Sequence, residues 1–299
     1  MTDLLSKLPP IEGSYRQNAE LKNWFNIKTH AEILFRPKNI ADLQYFLQNK
    51  PKDIPVTILG AASNVIIKDS GIAGVTIRFG REFAQVSHHH DEITAGAATL
   101  CGNVALYSKN QALSGMEFLT GIPGSIGGAI AMNAGCYGFD IAQTLVSATV
   151  LDMSGNISVI ENKNDNFGFS YRQNKIAKDF IFVEGTFKTS PSTAQEVAAK
   201  IEEFNQNREQ AQPIRAKTGG STFKNPVNQS DKKSWQLIDE AGYRGATKND
   251  AQISQKHCNF MINTGNATAQ DLIDLGNAAK EEVKNKSNIN LEWEIKILG

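Results

Sequence analysis

Gly121-Ile122-Pro123-Gly124-Ser125-Ile126-Gly127-Gly128-Ala129-Ile130-Ala131-Met132-Asn133-Ala134-Gly135 holds five glycines in fifteen residues, with Ser125, Ala129, Ala131 and Ala134 between them. Such a run has few side chains with which to build a core. It offers bare backbone that can come close to another group and take positive φ at little steric cost. Pro123 fixes its own φ and stiffens the turn. Two readings stay open on spacing alone. Consecutive N–H groups make a concave anion site, and a diphosphate suits it. The other reading is a set of tight turns where two elements pack closely. The spacing is neither G-x-G-x-x-G nor G-x-x-x-x-G-K-[ST], so neither the dinucleotide fingerprint nor the P-loop is indicated.

Working outward, the chain of 299 residues has room for about two domains. Hydrophobic residues make up 40% and charged residues 21%, as in an ordinary globular enzyme. Lys plus Arg and Asp plus Glu are equal at 31 each, so a nucleic-acid partner is disfavoured. No run of 18 or more apolar residues exists, which argues against a membrane span. The first ten residues lack the apolar core of a secretory signal. Cys101, Cys136 and Cys258 are odd in number and widely spaced. They read as reduced thiols in a cytoplasmic protein, without the C-x-x-C pair a metal site would use. A monomer is expected, and no metal.

The pattern of apolar residues predicts an α+β chain. A helix is expected over 40–49, with Ile40, Leu43, Phe46 and Leu47 on one face. Strands are expected at 56–59, 65–67 and 75–79, with a small-residue turn at 60–64. The segments 83–87 and 92–97 read as a hairpin turning at His88-His89-His90-Asp91. A helix follows over 99–111. A second hairpin joins 145–152 to 157–160 through Met153-Ser154-Gly155-Asn156, and 180–188 is a further strand. A helix is expected over 191–210, with Ser190 as N-cap and Pro191 in the first position. Beyond it come a short helix over 235–241 closed by Gly242, a strand over 260–263, a helix over 268–286 and a last strand over 291–298. The first twenty residues read as an extension or short helix.

Four segments besides the glycine run stand out in order: Leu59-Gly60-Ala61-Ala62-Ser63-Asn64, Ser170-Tyr171-Arg172, Gly219-Gly220-Ser221-Thr222-Phe223-Lys224-Asn225-Pro226 and Leu291-Glu292-Trp293-Glu294-Ile295. From about residue 22 to the C-terminus this order resembles the UDP-N-acetylenolpyruvoylglucosamine reductases. These are FAD-dependent oxidoreductases of the vanillyl-alcohol-oxidase type, and the length resembles the family's shorter class. The resemblance implies an N-terminal extension (1–21), a two-lobed FAD-binding domain (22–190, lobes 22–80 and 81–190) and a C-terminal substrate-binding domain (191–299). It implies NADPH-driven reduction of UDP-N-acetylglucosamine enolpyruvate to UDP-N-acetylmuramate, a peptidoglycan precursor, through FAD.

Carried over position by position, Gly60, Ala61, Ala62, Ser63 and Asn64 would line the FAD. So would Gly121, Pro123, Gly124, Ser125, Gly127, Gly128, Ala129, Asn133 and Gly135, with Tyr137 a further flavin-side contact. Lys224 and Asn225 would meet the UDP-sugar. Arg172, Ser221 and Glu294 match the family's catalytic arginine, proton donor and glutamate. A guanidinium suits the carboxylate and the enolate that hydride addition leaves. A serine, a weak acid, can protonate a strongly basic enolate held close by. The chain departs from the family at Ala61-Ala62, where Gly-x is usual, at Thr29-His30, where a Gly pair is common, and at Asn174, where a serine is common. Read singly, Ser221, Arg172 and Glu294 are a turn serine, a surface cation and an edge charge. His88 to His90 read as a solvated turn, His257 as a structural histidine or a substrate contact, and Cys136 as a small filler. Two alternatives remain: a different flavin oxidoreductase on the same fold, and a non-catalytic flavin binder.

Overall fold

A computed structural model describes residues 4–299. The chain forms two compact units, each assembled from separate stretches: the chain through Ala19 with Glu32–Ala61 and Ala73–Asn207, and Glu20–Ala31 with Ala62–Ile72 and Arg208–Gly299.

The first unit holds two sheets. In one, the strands run in the order Ser14–Glu20, His30–Arg36, Ile72–Ile77, Val56–Ile58. The last two are parallel, with Ile58 opposite Ile77. Helix α1 (Ile40–Asn49) starts where Asn39 accepts from the Asp42 amide. It turns Leu43, Phe46 and Leu47 into a core with Ile33, Phe35, Val75 and Ile77, as the sequence predicts. The buried Asp42 carboxylate also accepts the N–H groups of Glu12, Gly13 and Lys38, so one anion fastens the N-terminal segment to the helix start.

The other sheet has five strands in the order Ile157–Glu161, Leu145–Asp152, Phe180–Lys188, Glu92–Gly96, Val86–His89. All neighbours are antiparallel. The hairpin turning at Gly155 forms where expected. In the other the first strand is Val86–His89 rather than 83–87, so His88 and His89 pair with Ile93 and Glu92 and the turn narrows to His90-Asp91. Helices α2 (Cys101–Asn110) and α3 (Ile126–Met132) and the single turn α4 (Ile141–Thr144) bring Val104, Ile126, Ile130 and Ile141 into one core with Ile93, Val150 and Phe187. The glycine run, where the sequence predicts no helix, thus contains one. Its alternation of Ile with Gly and Ala buries one thin face, while too few large side chains mark the period.

Helix α5 (Ala194–Ala211) begins three residues later than expected. Ser190 and Pro191 pair instead with Ser114 and Leu113. Thr193 and Glu196 make the cap: the Glu196 amide donates to the Thr193 hydroxyl at 3.2 Å, and the Thr193 amide to the Glu196 carboxylate at 3.1 Å. That reciprocal pair satisfies more of the helix end than a lone serine can.

In the second unit, Thr247–Lys248, Ala251–Ile253 and Met261–Asn263 form an antiparallel sheet. Val65–Ile67 lies parallel to Lys296–Leu298; the expected final strand is paired as a strand only over these last residues. Helices α6 (Ser234–Glu240) and α7 (Ala269–Ser287) close the core with Leu237, Ile238, Leu272 and Leu275 against Phe25, Ile66, Phe223, Ile253 and Ile295. Thr268 caps α7, accepting from the Asp271 amide at 3.1 Å while Asp271 accepts from the Thr268 amide at 2.9 Å.

Candidate active site

Each unit gathers part of the expected site. In the first, the Leu59 amide bonds the Ile77 carbonyl at 2.9 Å, which carries the parallel strand pair up to Gly60. A Cβ built at Gly60 would lie 2.6 Å from the Ser125 hydroxyl. The turn therefore abuts the residue that opens α3. Ser125 is buried, yet its side chain does not cap the helix. The Gly124 carbonyl accepts from the Cys101 amide, and the Ile126 and Gly127 amides donate to Thr99 and Ala97.

The packing reading of the glycine run holds at three of its glycines. A Cβ at Gly121 would strike Cys136 Sγ and the Tyr137 ring at 2.7 Å; at Gly127, Ala97 Cβ at 2.9 Å; at Gly135, the Phe139 carbonyl oxygen at 2.4 Å. These three are small because the chain itself packs there. Gly128 differs, since its nearest neighbour would be Ser125 Oγ at 3.6 Å, an ordinary contact. Open space beside Gly128, next to the Ser125 hydroxyl and the Gly60 turn, fits an oxygen-rich diphosphate approaching bare backbone.

Arg172 stands in a tight turn in which Ser170 and Gln173 exchange two backbone bonds of 3.0 Å. Its φ is +55°, a left-handed conformation costing a non-glycine residue about 1–2 kcal/mol. Its guanidinium donates to the Gly135 carbonyl at 2.7 Å and lies 5.2 Å from the centre of the Tyr171 ring. The arginine is thus brought to the last glycine of the run. Asn133, at the left-handed end of α3, builds this arrangement. Its side chain donates to the Ser170 carbonyl at 3.0 Å and accepts from the Ala142 amide at 2.9 Å. Asn174, a departure from the family pattern, donates to the Ile130 carbonyl at 3.0 Å and accepts from the Ile176 amide at 3.1 Å. Tyr137 stacks on Phe204 at 4.4 Å, and its hydroxyl donates to the Phe204 carbonyl at 2.8 Å.

In the second unit, the segment carrying Ser221 runs between two others. Ser221 bridges Phe260 on one side, and Phe223 bridges Trp293 on the other. The Glu294 amide donates to the Thr222 carbonyl at 2.9 Å, and the Lys224 amide to the Glu292 carbonyl at 2.9 Å. Ser221 and Glu294 are therefore neighbours through a single peptide, with Lys224 and Asn225 continuing the same segment. Trp293, packed 5.0 Å from Phe223, needs the bare backbone of Gly276, where a Cβ would lie 2.2 Å from the indole. Asn64 binds this strand twice: its side chain donates to the Glu294 carbonyl, and its own carbonyl accepts from the Lys296 amide, both at 3.1 Å.

Lys224 faces the exposed Glu292 carboxylate at 3.5 Å, a pairing of little worth in water. The Asn225 side-chain oxygen Oδ1 accepts from the Ser234 amide at 3.0 Å. His257 packs edge-on against Phe260 at 4.8 Å. Burial pushes its pKa down, and the charges of Arg244 and Lys233 add to that. Its Nδ1 accepts from the Asn259 amide at 3.2 Å. Asn259 itself, with its side chain on both polar groups of Phe223, escaped the sequence reading, because no spacing rule marks an asparagine that substitutes for a peptide.

Comparison with known proteins agrees with this geometry. Residues 212–298 match the family profile "UDP-N-acetylenolpyruvoylglucosamine reductase, C-terminal domain", and residues 31–161 match "FAD binding domain". The UDP-N-acetylenolpyruvoylglucosamine reductase of Rickettsia prowazekii is 45% identical over 298 residues, covering 99% of both chains. That of Parvibaculum lavamentivorans is 44% identical, covering 99% of this chain and 94% of its own. The crystal structure of the Thermus caldophilus enzyme superposes with a TM-score of 0.80 at 28% identity, over 97% of this chain and 100% of that one. The BBE-like 1 protein of Physcomitrella patens, at 15% identity and TM-score 0.50 over 64% of this chain and 45% of its own, shares the fold alone. Among the described residues, no helix is long and apolar enough to cross a membrane. With that identity over nearly its whole length, the chain belongs to the UDP-N-acetylenolpyruvoylglucosamine reductase family and is an FAD-dependent oxidoreductase.

Proposed function

We propose that this enzyme reduces UDP-N-acetylglucosamine enolpyruvate to UDP-N-acetylmuramate at the expense of NADPH, with Arg172, Ser221 and Glu294 as its catalytic residues. FAD, when bound, would supply the hydride chemistry between NADPH and the enolpyruvyl carbon. Gly60, Ser125 and Gly128 are the residues of the first unit suited to its diphosphate. The segments 61–64 and 121–135 complete the cofactor set.

The protein's own groups handle charge and proton. Hydride addition leaves an enolate conjugated to the carboxylate. The Arg172 guanidinium, already oriented by the Gly135 carbonyl, stabilises that negative charge as it develops. Glu294 hydrogen-bonds the enol or orients the cation. Ser221 gives its hydroxyl proton to the carbanionic carbon, and the enolate collapses to the saturated lactyl ether. Lys224 and Asn225, on the same segment as Ser221, hold the UDP-sugar, so substrate binding and proton delivery share one rigid strand. The carrying observation is the Glu294 to Thr222 backbone bond, which brings the backbones at two of the three expected catalytic positions onto neighbouring segments.

The experiment is a two-step absorbance measurement. Purified protein with FAD bleaches on NADPH addition and recovers its colour when the enolpyruvyl substrate is added. Ser221→Ala should bleach as the parent does but fail to turn over. A variant that cycles at the parental rate would remove Ser221 from the mechanism.

A further inference from the structure

We infer that Asn259 is the positioning residue that sets the reach of Ser221, by acting as a substitute peptide in the sheet beside it. The inference rests on the reading of Ser221 as proton donor. The segment 217–223 runs antiparallel to 259–263, but out of step: Lys217 bridges Asn263 while Ser221 bridges Phe260. Five residues on one side thus span four on the other, a bulge. Beyond it the partner segment turns away, the Phe260 amide going to the His257 carbonyl, so the backbone ladder ends at Thr222 and would leave the N–H and C=O of Phe223 unmet on that edge. Both residues are fully buried, where each unmet group costs about 1–3 kcal/mol.

Asn259 supplies what the ladder lacks. Its backbone carbonyl accepts from the Thr222 amide at 2.7 Å. Its side-chain oxygen accepts from the Phe223 amide at 2.9 Å, and its side-chain nitrogen donates to the Phe223 carbonyl at 2.8 Å. A primary amide has the same donor and acceptor as a peptide, so this two-bond exchange reproduces an antiparallel pair. The Thr222 hydroxyl adds one more tie, accepting from the Met261 amide at 3.2 Å. On the opposite side the Thr222 carbonyl takes the Glu294 amide.

Thr222 and Phe223 are therefore clamped on the Asn259 edge chiefly by one residue, whose carbonyl holds Thr222 and whose side chain holds Phe223, while Glu294 holds Thr222 from the other edge. Two bonds, at donor and acceptor together, fix translation along the strand as well as rotation about it. Asn259 also donates its own amide to His257 Nδ1, which leaves the proton of the neutral imidazole on Nε2. It touches none of the reacting atoms in this account. Its effect passes through the placement of Ser221 relative to Glu294, where a displacement of about 1 Å costs on the order of 10²-fold in rate.

The test uses the FAD-loaded enzyme and four forms: parent, Ser221→Ala, Asn259→Ala and the double variant. Bleaching by NADPH and recovery with the enolpyruvyl substrate are timed separately. Asn259→Ala should slow the substrate step on the order of 10²-fold and leave the NADPH step at the parental rate. Added to Ser221→Ala, it should cost nothing further, because the group it positions is already gone. The same loss on both backgrounds, a parallel loss in the NADPH step, or no loss would each overturn the inference. Should Asn259→Ala fold poorly, Asn259→Asp keeps the volume and the acceptor while removing the donor to Phe223. It should show the same pattern with a smaller loss, and parental rates in both steps would sink the idea. Full turnover by Ser221→Ala alone would overturn the parent reading, and the inference with it.

Discussion

Arg172 and Asn133 divide the labour of one corner of the site. Arg172 holds a left-handed backbone, strain of the sort that persists where surrounding structure over-determines it. Asn133 does the determining, through the Ser170 carbonyl and the Ala142 amide. Their variants should therefore fail differently. Asn133→Ala strips bonds from a buried site and should lower unfolding free energy by about 2–3 kcal/mol, read as a shift of the urea midpoint. Arg172→Ala keeps the Cβ and its left-handed strain and gives up one guanidinium bond at a half-buried turn, so its midpoint should move by about 1 kcal/mol at most, while kcat falls on the order of 10²–10³-fold. Equal stability losses in the two would contradict this division. Arg172 was legible through its neighbours in the sequence. The role of Asn133 as a scaffold was not, since its partners lie 9 and 37 positions away.

Helix α3 sets two glycines side by side, one closely packed and one assigned above to the proposed diphosphate contact. Gly127 and Gly128 are adjacent and chemically identical, yet only the former faces Ala97 closely. Gly127→Ala should cost stability, about 1–3 kcal/mol for overpacking, with FAD affinity following only as the fold weakens. Gly128→Ala should leave stability unchanged or raise it by up to about 1 kcal/mol, as alanine favours the helix, and yet weaken FAD. Thermal unfolding without added FAD, set beside a flavin titration, separates the two; equal FAD affinity in parent and Gly128→Ala would remove the diphosphate from that position. Regular helices and hairpins were legible because their apolar periods are strong: α1, α7 and the hairpin turning at Gly155 fall where expected. Helix α3 was hidden by its own composition. The start of α5 moved because pairing of Ser190 and Pro191 with a distant strand, invisible locally, outweighed a good local cap.

At the scale of the molecule, the second unit borrows what it needs from early in the chain. Phe25, Ile27 and Ile66 lie in its core, the Asn263 side chain donates to the Phe25 carbonyl at 2.9 Å, and Val65–Ile67 supplies the partner for the last strand. Residues 208–299 expressed alone should consequently lack cooperative unfolding and dispersed amide spectra; a folded fragment would show the borrowed segments to be dispensable. Stability should also rise with pH. The half-buried His257 has a lowered pKa, so the unfolded chain binds the proton more readily. Its contribution is present above the ordinary histidine range, about pH 6.5, and is lost as pH falls through the folded value. Asp271, held low chiefly by the Thr268 amide, behaves alike below about pH 4. Urea midpoints from pH 5 to 8 should climb, and His257→Gln should flatten that limb; an unchanged slope would assign it elsewhere.

The sequence by itself determined the family, the regular elements and the identity of the expected catalytic residues, because apolar period and motif order are local properties of a chain. Tertiary structure alone decided which glycines serve packing and which leaves room for a ligand, that early segments complete the C-terminal core, and that Asn259 stands in for a missing peptide beside Ser221. Each depends on atoms that meet only after distant segments fold together, and no short window of sequence encodes such a meeting.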